Sequence, residues 1–148
     1  MKFIYLIFFF LLATSCQEED DHAFTEVPAL IASSFQLQFT NAKEIEWELL
    51  SENLYEAEFE ISEVDHKALF NSKGKLLKYK YEEDFENLPK KLQHILLKNF
   101  DIKDIDELEI VKAGLQTYYQ LEIDQSFTEL EKVFNENGKL NTTQTFWD

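Results

Sequence analysis

The chain has 148 residues, enough for one domain, and 45% of them are hydrophobic, which excludes a disordered protein. Its 29 acidic residues outnumber its 14 basic residues, all of them lysines, and a net charge of -15 without arginine argues against binding to DNA, RNA or phosphate-rich ligands. The single cysteine excludes an internal disulfide and a cysteine-cluster metal site, and the composition indicates no cofactor.

The first residues have the pattern of a secretion signal. Lys2 precedes an apolar run over residues 3–13, which is too short to span a bilayer. The run ends in small residues directly before the lone cysteine, Cys16, and this resembles the lipobox of bacterial lipoproteins. We therefore expect a signal peptide over residues 1–15 and lipidation of Cys16. An ordinary secretory signal with an unrelated cysteine is the alternative.

Residues 16–24 form an acidic tether, with four consecutive acids over residues 18–21. A solvated spacer would have this composition. The tether also resembles the acidic segment that follows the lipidated cysteine in surface-exported lipoproteins of the Bacteroidota. We expect an outer-membrane lipoprotein of the cell envelope, facing either the periplasm or the exterior.

The remaining domain, residues 25–147, contains one pattern twice. Three pairs of segments match in the same order: 27–39 with 88–100, 55–61 with 119–124, and 69–76 with 133–140. We predict two repeats, at about 25–86 and 87–147.

Each repeat begins with apolar residues at helical spacing and continues with alternating apolar and polar residues, which are typical of strands. Short turns such as Asn137-Gly138 make neighbouring strands antiparallel. The predicted fold class is α+β: two tandem units, each a helix plus a four-stranded antiparallel meander, with the helices on one sheet face. The last strand is expected near residues 139–146, with Phe146 and Trp147 packed at its edge or acting as an interaction anchor.

Four motifs resemble a known family: the Val-Pro start at Val27, Trp47 following a short acidic strand, the Tyr-x-Ala-x-Phe strand at Tyr55 and the Phe-Asn-x-x-Gly-Lys-Leu hairpin at Phe70. Over residues 27–140 the chain resembles the PepSY-like, β-lactamase-inhibitor-protein-like (BLIP-like) family of secreted Bacteroidota proteins. The resemblance implies one curved sheet whose open face binds protein. The cysteines that brace true β-lactamase inhibitor proteins are missing from this sequence.

Motifs of catalysis or metal binding are missing too: the sequence has no nucleophile elbow, no His-Glu-x-x-His and no phosphate loop. The three histidines, His22, His66 and His94, are not at ligand spacing, and we expect them at the surface or its boundary. We therefore predict no catalytic residue and no metal site.

Strand alternation predicts an acidic patch on the sheet face that carries no helix. Its expected members are Glu44, Glu46, Glu48, Glu56, Glu58 and Glu60, with Tyr118 on the same face. The patch is interpreted either as a solvated surface or as the docking face for a partner.

Three functions remain open. The first is a non-catalytic, lipid-anchored envelope module that captures or inhibits a protein partner, such as a protease. The second is a structural or regulatory envelope protein whose acidic face holds Ca²⁺ or a basic partner. A carboxylate-based hydrolase is the third, and we place it last because the many acids single out no pair.

Overall fold

The computed structural model describes residues 26–51, 53–125 and 127–148. The predicted signal peptide, the lipidation site Cys16 and the acidic tether lie outside the described residues. None of the described helices combines the length and the hydropathy that crossing a membrane requires.

Two α-helices and seven β-strands give the α+β fold that the sequence predicts. In chain order they are α1 (Ala29–Gln38), β1 (Lys43–Ser51), β2 (Leu54–Ile61), β3 (Val64–Asn71), β4 (Leu76–Glu82), α2 (Lys90–Asn99), β5 (Ile105–Ala113), β6 (Gln116–Gln125) and β7 (Thr128–Asn135). The strands form one antiparallel sheet in chain order. The two halves join where β4 pairs with β5, from Tyr79–Lys112 to Glu82–Glu109.

Helix α1 covers the first half of the sheet. It follows Pro28, whose carbonyl accepts the first helical hydrogen bonds. Ile31 and Phe35 lie one turn apart and are buried against Phe59 and Phe70 of the sheet. The rings of Phe35 and Phe59 meet edge to face at 4.8 Å between centroids, a favourable aromatic geometry.

Helix α2 covers the second half on the same sheet face. Leu92 and Leu96, again one turn apart, are fully buried against a cluster that includes Tyr119, Leu121 and Phe134. The sheet therefore has a helix-covered face, which holds the two main apolar clusters, and a helix-free face.

The hairpin between β3 and β4 touches α1 at Gly74. This glycine has φ +73°, and a Cβ placed on it would lie 2.7 Å from Ser34 Oγ and 3.2 Å from the Leu30 carbonyl oxygen. Gly114, in the β5–β6 turn, also has a positive φ, but a Cβ there would meet nothing within 4 Å. Gly74 is therefore suited both to the positive φ of the turn and to the close contact with α1.

The predicted strand near residues 139–146 does not form. After β7 the pairing is extended only by a bridge between Phe134 and Leu140, with hydrogen bonds from Asn135 N to the Lys139 carbonyl and from Asn141 N to the Val133 carbonyl. The Asn141 side chain then accepts hydrogen bonds from the backbone N–H groups of Thr143 and Gln144, which bends the chain away from β7. The chain crosses the helix-free face instead and buries Trp147 there.

Candidate functional site

Residues 141–148, here called the closing segment, cover part of the helix-free face. A small apolar cluster lies beneath them, separate from the two clusters under the helices. Its buried members are Leu69, Val111, Tyr118, Val133 and Trp147, with Leu54, Leu77, Ala113 and Phe146 partly buried around them. The face that the sequence predicts to be open is therefore partly occupied by the chain itself.

Trp147 is held by polar contacts as well as by burial. Its indole N–H donates to Glu56 Oε2 at 2.8 Å. The side-chain amide of Gln120 bonds both main-chain groups of Trp147: Oε1 accepts from the N–H at 3.3 Å, and Nε2 donates to the carbonyl at 2.7 Å. Lys80 Nζ donates to the same carbonyl at 2.7 Å, and Lys78 Nζ lies 3.8 Å from the ring centroid. We call Glu56, Lys78, Lys80 and Gln120 the tryptophan socket.

A buried ion pair supports this socket. Lys80 Nζ lies 2.9 Å from Glu109 Oε1, and the Gln120 amide donates to the other carboxylate oxygen of Glu109. Lys80, Glu109 and Gln120 are at most 5% exposed. Their hydrogen bonds to each other and to Trp147 satisfy groups that would be costly to bury unpaired.

Beside the socket, the helix-free face contains an acidic groove of about 450 Å³. Its acidic lining residues are Glu58, Asp65, Glu82, Glu107, Glu109, Glu122 and Asp148. Two lysines line it as well, and both already form ion pairs: Lys67 with Glu58 at 2.8 Å, and Lys80 with Glu109. Negative charge is therefore in excess in the groove.

Burial, together with the excess negative charge, raises the pKa of two groove carboxylates. Burial raises the pKa of Glu107 above the usual 4.5, and the nearby charge of Glu109 raises it further. Burial also raises the pKa of Glu82, with the charges of Asp65 and Glu109 adding to the rise. In both cases Lys80 opposes the rise without cancelling it. A positive charge placed in the groove would therefore be attracted.

No metal centre is found in the described part of the chain, where no three or more His, Cys, Asp or Glu side chains come close enough to hold an ion. His66 instead stacks between the rings of Phe59 and Tyr81, at 5.3 and 5.4 Å between centroids. Burial lowers its pKa, which the charge of Asp65 only partly opposes. His94 is exposed on α2, and His22 lies outside the described residues.

The predicted acidic patch is only partly correct. Glu46 lies opposite Glu58, and Glu48 lies opposite Glu56, on the helix-free face. Glu46, Glu48 and Glu58 are exposed and Glu60 is half-buried.

Three of the predicted positions differ. Glu56 is 4% exposed because Trp147 and Lys67 cover it, and Tyr118 is 7% exposed because it lies in the cluster beneath the closing segment. Glu44 has φ 50° and lies in a β-bulge, so Lys43, not Glu44, pairs with Glu60. Neither Glu56 nor Tyr118 is therefore free for a partner while the closing segment is in place.

The second half of the groove was missed by the sequence analysis. Glu107, Glu109 and Glu122 alternate with apolar residues in β5 and β6, just as Glu56 and Glu58 do in β2. The same parity rule, applied to the second repeat, would have placed them on the helix-free face.

Comparisons with known proteins agree with this fold. No protein-family model matches the chain, and no curated protein matches it. Among solved structures, a BLIP-like protein from Bacteroides fragilis has a TM-score of 0.68 and 20% identity, covering 87% of this chain and 98% of that one. A DUF2874 family protein from Bacteroides ovatus has a TM-score of 0.66 and 16% identity, covering 76% and 83%. A Bacteroides eggerthii protein provisionally assigned to the periplasm has a TM-score of 0.70 and 13% identity, covering 77% and 85%.

At these identities the similarity establishes the fold alone. The BLIP-like resemblance predicted from the sequence is confirmed at that level, and the chain has the BLIP-like arrangement of two helices on one face of an antiparallel sheet.

Proposed function

We propose that this chain is a non-catalytic, lipid-anchored module of the cell envelope that binds a basic protein partner through its acidic groove. The observation that carries the proposal is the excess of carboxylates in the groove, whose two lysines already form ion pairs. Burial raises the pKa of Glu82 and Glu107 and like-charge repulsion adds to the rise, and a lysine or arginine side chain from a partner would relieve that repulsion.

The fold supports this function by analogy. One similar structure is described as BLIP-like, and another is provisionally assigned to the periplasm. A protein-binding, inhibitor-like role in the envelope fits both descriptions. Lipidation of Cys16, followed by the acidic tether, would hold the module at the membrane and leave the sheet free to meet its partner.

The groove position Glu122 gives a direct test. A photo-crosslinking amino acid at Glu122 should capture one protein in the native envelope, and the yield should fall as salt rises, because exposed charges are screened beyond ~8 Å at physiological salt. The matched control places the same amino acid at Lys91, which is exposed on α2. Capture of the same protein from both positions, or no capture from Glu122, would contradict the proposal.

Cys16 gives a test of the anchor. Cys16→Ser should release the protein from the membrane fraction and leave the domain folded, because Cys16 lies outside the repeats. Fractionation of the envelope, with circular dichroism of the released protein, measures both. Recovery of the variant with membranes at the wild-type level would contradict lipidation.

A further inference from the structure

The tryptophan socket holds Trp147 through side chains rather than through backbone pairing with a strand. Gln120 is 2% exposed, and its amide pairs with both the N–H and the carbonyl of Trp147, as one more backbone strand would. Glu56, which is 4% exposed, accepts the indole N–H. The socket therefore binds both the main chain and the indole N–H of one residue, which together define a tryptophan within a peptide.

The rest of the closing segment is held weakly. Residues 142–145 are exposed, and the side-chain hydrogen bonds of this stretch are local, from Thr143 and Gln144 to Asn141. Phe146 is half-buried. Trp147 is thus the main attachment of the closing segment to the face, and a loop that is weakly held on the surface opens readily.

We propose that the tryptophan socket is a binding site for a tryptophan-bearing segment of the partner protein, and that Trp147 occupies it as an intramolecular competitor. This inference rests on the proposed function, from which the basic character of the partner is taken. The socket borders the acidic groove, which Asp148 lines directly after Trp147. A partner peptide with lysine or arginine after its tryptophan would place that cation where this chain places an acid.

Charge argues for a different protein rather than a second copy of this chain. The chain has a net charge of -15, so two copies repel each other, and an exchanged closing segment would only replace one Asp148 with another in the acidic groove. A basic partner would be attracted to the acidic groove, whereas a second copy of this chain would be repelled.

Competition by Trp147 sets the expected affinities. Because the closing segment is joined to the sheet by a short stretch of chain, its effective concentration at the socket is about 1 mM. An added peptide must therefore displace it in the wild-type protein. In full-length Trp147→Ala the socket is vacated. We expect this variant to bind an added tryptophan peptide at least ~10-fold more tightly than the wild type does, because the competitor is gone.

The test uses three synthetic amidated peptides with the sequence of residues 141–148: one unchanged, one with Asp148→Lys and one with Trp147→Ala. Calorimetry with full-length Trp147→Ala should show the lysine peptide binding most tightly, with its advantage over the unchanged peptide shrinking at high salt. The alanine peptide should not bind, and Gln120→Ala in the receptor should weaken both tryptophan peptides. Equal affinity of the wild type and Trp147→Ala for the lysine peptide would overturn the proposal, as would tight binding of the alanine peptide.

A measurement on the wild-type protein covers the case in which Trp147→Ala fails to fold. The chain has two tryptophans, so two indole N–H signals are expected in an ¹⁵N spectrum, and the signal of Trp147 should move to the position of a free indole as the unlabelled lysine peptide is added. An unmoved signal at millimolar peptide would overturn the proposal. So would a concentration-dependent dimer of the wild type that the peptide dissociates, since the occupant would then be a second copy. Because these tests use purified protein and peptides, their failure leaves the crosslinking test at Glu122 unaffected.

Discussion

Lys80 is the residue on which most of the polar structure of the helix-free face depends. Its ammonium contacts Glu109 and the carbonyl of Trp147 in a position that is 5% exposed. A buried ion pair contributes little net stability compared with apolar residues of the same volume, yet removing one partner leaves an uncompensated charge.

Lys80→Met should therefore lower the free energy of unfolding by about 3–5 kcal/mol, because Glu109 stays buried without its cation. Adding Glu109→Leu should restore much of the loss. Urea denaturation of the two variants measures both effects, with Lys78→Met, at a half-buried position, as the comparison. A double variant less stable than Lys80→Met alone would show that the pair does not act as a unit.

Glu107 should make stability depend on pH in the acidic range. Its pKa is raised in the folded protein, so the folded state binds this proton more tightly than the unfolded chain does. The stabilisation is complete below the ordinary pKa of 4.5 and is lost as pH rises through the folded value. Glu107→Gln, which mimics the protonated form, should be more stable than the wild type at pH 7, and the difference should shrink towards zero below pH ~4.5. Chemical denaturation at several pH values tests this; a difference that does not change with pH would contradict it.

At the residue scale, strand parity predicted the faces of Glu46, Glu48 and Glu58 correctly. It failed at Glu44 because a bulge shifts the register by one residue, and a bulge leaves no clear mark in the sequence. Parity also gives the direction of a side chain but not what covers it. The burial of Glu56 depends on Trp147, which is 91 residues away in the chain.

At the scale of elements, the hairpin between β3 and β4 is fitted to α1. Gly74→Ala should cost more stability than Gly114→Ala, because both place a side chain at positive φ but only Gly74 meets Ser34 and Leu30. The backbone strain is about 1–2 kcal/mol in each case, and the overlap at Gly74 adds about 1–3 kcal/mol.

Thermal or urea denaturation compares the two glycine variants directly. In a Ser34→Ala background the cost of Gly74→Ala should fall, because the nearest contact, at 2.7 Å, is removed. Equal losses of stability for Gly74→Ala and Gly114→Ala would show that α1 moves to accommodate the added Cβ at no cost in free energy.

Most of the elements were predictable from the sequence because they depend on local periodicity and turns. Both helices and the first seven strands follow the predicted order, since alternation and short glycine turns specify antiparallel neighbours. The absent eighth strand was not predictable in this way. Residues 139–146 resemble a strand, but the Asn141 turn and the burial of Trp147 draw the chain onto the face, and tertiary burial outweighs local pattern.

At the scale of the whole molecule, two features tie the halves together. The pairing of β4 with β5 makes the sheet continuous, and Trp147, from the second half, contacts Glu56 and Lys78 of the first. Each half also has its own apolar cluster under a helix. A unit of about sixty residues buries too little surface to be more than marginally stable alone, so the halves should unfold together.

Single-tryptophan variants measure this cooperativity. Trp147→Phe leaves Trp47 to report on the first half, and Trp47→Phe leaves Trp147 to report on the contact between the halves. The fluorescence transition of Trp47 in urea should coincide with the loss of circular dichroism of the same variant. A fluorescence change at Trp47 that precedes the loss of circular dichroism would show that the halves unfold independently.

The separation between Glu56 and Trp147 has a consequence for the order of folding. A contact that joins residues 91 positions apart closes a long loop, and such contacts form late because the entropy of closure is lost before the contact contributes. During synthesis or export the first repeat therefore presents Glu56, Lys78 and Lys80 to water, as a nascent polar surface, until Trp147 arrives. The same contact is among the first to be lost, so substitutions at Trp147 act on the rate of unfolding rather than on the rate of folding.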